Sequence, residues 1–76
     1  MPTIKRFHNC QIRIYIGDHL PPHFHIVLND GRDCLVEIET LAVLAGKLPK
    51  RAIAEALAWA TDNRAALRDK WKEFNP

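Results

Sequence analysis

The chain of 76 residues suffices for one small domain and excludes a second, since a domain usually holds about 100 to 150 residues. Its 47% apolar and 26% charged residues exclude an intrinsically disordered chain. The net charge of +2 does not by itself indicate nucleic-acid binding. A core this thin makes a homodimer contact or another partner an expected source of stability.

Cysteine content and apolar runs predict the compartment. Cys10 and Cys34 match neither a disulfide framework nor a zinc-ribbon spacing, and the first residues lack the apolar run of a signal peptide. No stretch approaches the roughly 20 apolar residues of a membrane-spanning helix. We therefore expect a cytoplasmic protein without a membrane segment.

The composition of the chain changes once, at Gly46. Short runs of β-branched and aromatic residues precede it, and the chain after it is rich in Ala, Leu, Lys and Glu. This change predicts one α+β domain (1–76), with a small antiparallel four-stranded sheet in residues 1–45 and a helical tail in residues 46–76. The predicted strands, in chain order and in the same order across the sheet, cover residues 3–8, 11–17, 23–29 and 33–40. The first is irregular and predicts a bulge or a sheet edge.

Alternation along the strands predicts which residues face the core and how the strands pair. One face collects Ile12, Ile14, Ile16, Phe24, Ile26, Leu28, Cys34, Val36 and Ile38. If the apolar faces coincide, Phe24 lies opposite both Ile38 and Ile16, and residues 30–32 form a three-residue hairpin loop. A one-residue slip would pair His25 with Val36 and place carboxylates on the apolar face, at a cost of several kcal/mol.

The same register predicts a polar row on the opposite face. It places His25 between Tyr15 and Glu37, and it places His23 opposite Glu39. We expect this face to be the functional surface.

The tail predicts a C-terminal helix, or a kinked helix pair, packed on the isoleucine face. Apolar or small residues recur in steps of four and three between residues 49 and 74, with Arg64 as the polar exception. Pro49 suits a first helical turn, whereas Thr61, Asp62 and Asn63 could cap a second helix.

Three of the four histidines lie in the segment GDHLPPHFHI, and three roles are open to them. The first is a divalent metal site, for an ion such as zinc, with His19, His23, His25 and Glu39 as candidate ligands and one position open. The second is proton transfer to or from a substrate, and the third is fastening the proline loop to the sheet.

For proton transfer the face supplies a set of candidate catalytic residues. His23 or His25 would act as the base, Glu37 would orient it through the other ring nitrogen, and Tyr15 or Arg13 would stabilise the developing charge.

A second, basic cluster surrounds the predicted helix start. Lys47, Lys50 and Arg51 lie where the helix dipole adds positive potential, so the cluster is a candidate anion-binding site. A solvated surface is the alternative.

Four motifs together resemble the bacterial domain-of-unknown-function family 4160. They are DHLPPHFH at 18–25, the opening MPTIKRF, the acidic strand VEIE and GKLPKRA at 46–52. The matching positions are Asp18, His19, Pro21, Pro22, His23, Phe24, His25, Glu37, Glu39, Trp59 and Trp71. The resemblance implies a short prokaryotic protein without an assigned reaction, encoded beside another small protein in an arrangement that suggests a toxin–antitoxin-type pair.

Two function classes follow, and the sequence leaves open whether the protein is an enzyme. One is a toxin-like component of a two-gene module that uses the His/Glu/Tyr face, with RNA as a conceivable substrate. The other is a non-catalytic module that binds the neighbouring gene's product, or a divalent metal ion, through the same face.

Overall fold

The computed structural model describes residues 3–76, which form a five-stranded antiparallel sheet followed by two α-helices packed on it. The α+β prediction is confirmed, with one strand more than expected. The elements are β1 (Thr3–Arg6), β2 (Cys10–Arg13), β3 (His23–Leu28), β4 (Asp33–Glu37), β5 (Val43–Ala45), α1 (Lys50–Asp62) and α2 (Arg64–Phe74). Each strand pairs with the next in the chain, so β1 and β5 are the edges of the sheet.

Both edge strands are irregular. The pairing of β1 with β2 shifts between Thr3 and Lys5, which confirms the irregularity expected there. The pairing of β5 with β4 also shifts, and all three residues of β5 are exposed. Because β5 is short and lacks alternation of apolar and polar residues, it carries no strand signal in the sequence.

The register between β3 and β4 differs from the predicted one by two residues. Phe24 lies opposite Val36 rather than Ile38, and His25 lies opposite Leu35 rather than Glu37. The one-residue slip does not occur either. Since a shift of two preserves the faces, the apolar residues still share one side of the sheet.

The hairpin loop explains this shift. The loop residues are 29–31, because the Leu28 amide donates to the Arg32 carbonyl at 2.8 Å and the Gly31 amide donates to the Leu28 carbonyl at 2.9 Å. Gly31 has φ 94°, so the glycine occupies the last loop position, where a three-residue hairpin needs a left-handed residue. The predicted loop of residues 30–32 placed Gly31 in the middle, where its conformational freedom is not required.

The register between β2 and β3 is displaced in the same way. Ile12 pairs with Ile26, and Arg13, not Tyr15, lies opposite His25. β2 ends at Arg13, so Ile16 lies beyond the strand and is 73% exposed instead of facing the core. The predicted core position of Ile16 is therefore wrong.

The core lies between one face of the sheet and the two helices. Its buried apolar members are Cys10, Ile12, Ile14, Phe24, Ile26, Leu28, Cys34, Val36, Ile38, Ile53, Ala56, Ala60, Leu67 and Trp71. This set contains the apolar face predicted from alternation, apart from Ile16. It also contains Ile53, Ala60, Leu67 and Trp71, which belong to the apolar stripe predicted for the helical tail.

The helical run divides at Asn63. The Asn63 side chain donates to the Trp59 carbonyl at 2.7 Å and does not cap α2. Thr61 donates to the Leu57 carbonyl at 2.9 Å, so it also bonds back into α1. Of the two alternatives, the tail forms the helix pair, but these side chains close the first helix rather than open the second. Among residues 3–76, no helix combines the length and apolar character required to cross a bilayer.

Two glycines provide a matched test of this backbone. Gly31 and Gly46 both have positive φ, 94° and 84°, but a Cβ at Gly31 would meet nothing within 4 Å, whereas at Gly46 it would lie 2.6 Å from the Asp33 carbonyl oxygen. We expect Gly31→Ala to lower the free energy of unfolding by about 1–2 kcal/mol, the cost of a left-handed alanine. Gly46→Ala should lower it by about 1–3 kcal/mol more, because the backbone of β4 must move. Urea denaturation measures both, and equal losses would contradict the close approach at Gly46.

Candidate functional site

The loop between β2 and β3 brings Asp18 to the first residues of β3. The Asp18 amide donates to Asn75 Oδ1 at 2.7 Å, and Asn75 Nδ2 donates to the Tyr15 carbonyl at 3.1 Å. The residue that follows α2 therefore fastens two points in the first half of the loop.

Three side chains converge where this loop meets β3. Asp18 Oδ2 lies 2.9 Å from His23 Nε2 and 3.2 Å from His25 Nε2. Ligand atoms of these three residues all lie within 4.8 Å of one another, a spacing that can hold a metal ion.

The second nitrogen of each imidazole faces another oxygen. His23 Nδ1 lies 2.8 Å from the Pro21 carbonyl oxygen, and His25 Nδ1 lies 3.4 Å from Asp33 Oδ2. A carbonyl oxygen only accepts, so His23 Nδ1 must carry a proton, and the Asp33 carboxylate favours the same tautomer of His25. In a neutral imidazole this leaves the lone pair on Nε2.

This arrangement requires a positive charge at its centre. Two Nε2 lone pairs and an ionised carboxylate oxygen would repel one another at these distances. Either additional protons on the imidazoles or a metal ion can stand between them. The first option makes the site an acid–base pair of histidines, and the second makes it a metal centre.

The site is closed on one side and open on the other. The His23 side chain is fully buried, and its ring centroid lies 5.1 Å from that of Trp71 on α2. The side chains of His25 and Asp18 remain 13% and 17% exposed. Tyr15 packs against the His25 ring edge to face, with centroids 4.5 Å apart. Solvent therefore reaches the cluster past His25 and Asp18.

The electrostatics favour an ionised Asp18. Burial opposes ionisation, but without a metal ion the hydrogen bonds donated by His25 Nε2–H and the His19 amide, together with the nearby His23, outweigh it and hold the Asp18 pKa below its usual value.

The register predicted Glu37 beside His25 and Glu39 beside His23, and neither of these pairs forms. Glu37 lies opposite His23, not His25, and accepts a hydrogen bond from Thr40. Glu39 pairs with Arg68 of α2 at 3.4 Å. Because the register is displaced by two residues, neither glutamate belongs to the metal-compatible group, which consists of Asp18, His23 and His25. Two aspartates contact the histidines instead: Asp18 contacts both rings, and Asp33 contacts His25.

The remaining predicted site residues lie near this group. His19 is exposed; its Nε2 is 3.8 Å from Asp18 Oδ1 and its ring centroid is 5.2 Å from that of His23. Arg13 is the cross-strand neighbour of His25, and its buried Nε has no hydrogen-bond partner within the described chain. Tyr15 contacts His25 as predicted, although the two are not ladder partners.

The basic residues lie elsewhere. Lys47, Lys50 and Arg51 are exposed around the start of α1, whose first turn contains no acidic residue.

Sequence reasoning missed the two aspartates that contact the histidines. Asp18 stood in the DHLPPHFH motif, which was the available signal, but its distance from His23 depends on the path of the proline loop. Asp33 reaches His25 only in the observed register.

A scan of family models matches residues 10–72 to the model described as Domain of unknown function (DUF4160). No curated protein and no solved structure matches the chain.

The lowered pKa of Asp18 has a consequence for stability. Its ionised carboxylate stabilises the fold above the ordinary carboxyl pKa of about 3.9, and this contribution is lost as pH falls through the lowered folded-state value. We expect Asp18→Asn to reduce the free energy of unfolding by about 1–3 kcal/mol near neutral pH, and by progressively less below about pH 4.

Urea denaturation across this pH range measures the effect. Asp69→Asn, at an exposed position on α2, is the control and should change little at any pH. A deficit in Asp18→Asn that is independent of pH would contradict the electrostatic account.

Proposed function

The chain belongs to the family described as Domain of unknown function (DUF4160), and from the geometry of its site we propose that it is a divalent-metal-binding domain. The ligands are Asp18 Oδ2 and the Nε2 atoms of His23 and His25, and the ion is one that accepts mixed nitrogen and oxygen ligands, such as zinc.

The observation behind this proposal is the closeness of three potential ligand atoms, which all lie within 4.8 Å of one another. Two ligands that each lie about 2.0–2.2 Å from a zinc ion, at tetrahedral or octahedral angles, are about 2.8–3.6 Å apart. The distances from Asp18 Oδ2 to His23 Nε2 and His25 Nε2 are 2.9 and 3.2 Å. Small adjustments of these side chains would therefore accommodate the ion.

The outer contacts of the histidines support the same proposal. Metal-binding histidines usually donate their second ring N–H to a carbonyl or a carboxylate, which fixes the tautomer and the ring orientation. His23 has a carbonyl partner in Pro21, and His25 has a carboxylate partner in Asp33. Both rings are thereby held with Nε2 toward Asp18.

The exposure of the three side chains also fits a metal centre. The His23 side chain is fully buried, whereas those of Asp18 and His25 are 17% and 13% exposed. A metal ion allows both rings to stay neutral while compensating the Asp18 charge. An ion held by buried His23 and by the partly exposed Asp18 and His25 would have one side open to solvent.

Three protein ligands and an open position are typical of catalytic rather than structural zinc sites. Exposed His19 lies beside the site and can supply a further ligand, whereas Glu39 is engaged by Arg68.

The toxin-like role, with RNA as a conceivable substrate, stays a prediction. It is supported by the open side of the site and by the buried, unpartnered Nε of Arg13 beside His25. Induced expression tests it: the wild type should slow growth and a folded His25→Ala variant should not. Harmless wild-type expression would favour the non-catalytic binding module.

We expect zinc to stabilise the folded protein. At a free concentration about 100 times its Kd, zinc should add about 2.7 kcal/mol to the free energy of unfolding near pH 7.5. The gain should be much smaller near pH 5.5, because the metal competes with protons for the histidines. Thermal unfolding followed by circular dichroism, with and without zinc, measures it.

Matched variants locate the effect. His25→Ala and Asp18→Asn should abolish the zinc-induced rise in Tm, whereas His8→Ala, which removes an exposed histidine paired with Glu55, should preserve it. An unchanged Tm at both pH values, or an equal rise in His25→Ala and the wild type, would overturn the proposal.

A further inference from the structure

A second candidate site lies between the sheet edge at β5 and helix α1, and it shares no lining residue with the metal-compatible group. Here the surface forms a groove of about 550 Å³. Its apolar walls are formed by Cys34, Val43, Leu48, Ile53 and Leu57.

The strand beside this groove is an edge of the sheet. β5 pairs with β4 on one side only, and its outer backbone groups have no strand partner in the described chain. Val43 and Leu44 are 48% and 45% exposed, so two large apolar side chains face solvent on a three-residue edge strand. Such an edge readily accepts an additional strand.

The charge around the groove is uniformly positive. Lys47 and Lys50 line it, and no acidic residue does. Helix α1 begins at this rim with no acidic residue in its first turn and no side-chain cap, so its N-terminal amides add positive potential. Arg51 is exposed in the same turn.

This charge selects between possible occupants. A second copy paired through β5 would present the same two lysines, and the groove lining of that copy holds no carboxylate to compensate them. A nucleic acid would supply negative charge, but it would leave the apolar walls without an apolar partner. An acidic peptide with apolar side chains would pack against the apolar walls and would compensate the charge of Lys47 and Lys50.

We propose that this groove binds an extended, acidic segment of a partner protein. The segment adds a sixth strand antiparallel or parallel to β5 and inserts an apolar side chain between Val43 and Leu57. A carboxylate of the segment then contacts Lys47, Lys50 and the first amides of α1.

The test uses the full-length protein and random peptides displayed on phage as the probe. Enriched peptides should alternate Val, Ile or Leu with Asp or Glu, and a synthetic copy of one should shift the amide NMR signals of residues 43–48 and of Lys50. Binding by Lys47→Glu/Lys50→Glu should be weaker by about tenfold or more, because like charges then face each other.

The control is Lys5→Glu/Lys72→Glu, which makes the same change of charge at exposed positions away from the groove and should bind normally. Val43→Asp should also abolish binding, and circular dichroism would establish that each variant is folded.

Three results would overturn the proposal. They are a display experiment that enriches no peptide, enriched peptides that bind both lysine double variants equally, and a dimer in sedimentation that Val43→Asp converts to a monomer. The last result would assign the groove to a second copy of this chain.

Discussion

A single carboxylate oxygen, Asp18 Oδ2, joins the loop, the sheet and the second helix at the site. It faces Nε2 of two histidines on β3, while Asn75, which follows α2, holds the Asp18 backbone. Trp71 of α2 packs against the buried His23 ring. Because these contacts come from segments that are distant in the chain, the cluster exists only in the folded domain. Any ion that binds it must therefore stabilise the fold, and any loss of α2 packing must weaken the site.

The faces of the strands could be predicted from the sequence, but their register could not. A period of two identifies the buried side of each strand and excludes odd shifts, since an odd shift would bury carboxylates. It does not distinguish shifts of two, which preserve both faces. The loop decides among these: Gly31 takes the left-handed position at the end of residues 29–31, and this choice moves Phe24 from Ile38 to Val36. Turn chemistry, rather than apolar patterning, could have predicted the register.

For the candidate site, too, the sequence could predict which residues share a face of the sheet but not which of them are in contact. Two histidines on one side of a strand follow from alternation alone, whereas Tyr15 reaches His25 from beyond the end of β2 and not as the predicted ladder partner. The carboxylates do not follow from alternation, because Asp33 depends on the register, and Asp18 depends on a proline-containing loop held by a residue 57 positions away. The apolar spacing predicted a helical tail, but it continues across the polar run at residues 61–63 and so left one helix and a helix pair both open. β5 could not be predicted, because three exposed residues without alternation leave no periodic signal.

The protonation states of the two imidazoles test the metal-centre account most directly. Long-range ¹H–¹⁵N NMR spectra of protein labelled at histidine distinguish Nδ1–H from Nε2–H tautomers, and they can be recorded as zinc is added near neutral pH. The account predicts that His23 and His25 both become neutral Nδ1–H tautomers with Nε2 bound to the metal, while His8 does not change. If zinc leaves either ring of the pair doubly protonated or in the Nε2–H tautomer, the site is a proton-linked cluster of histidines and not a metal centre.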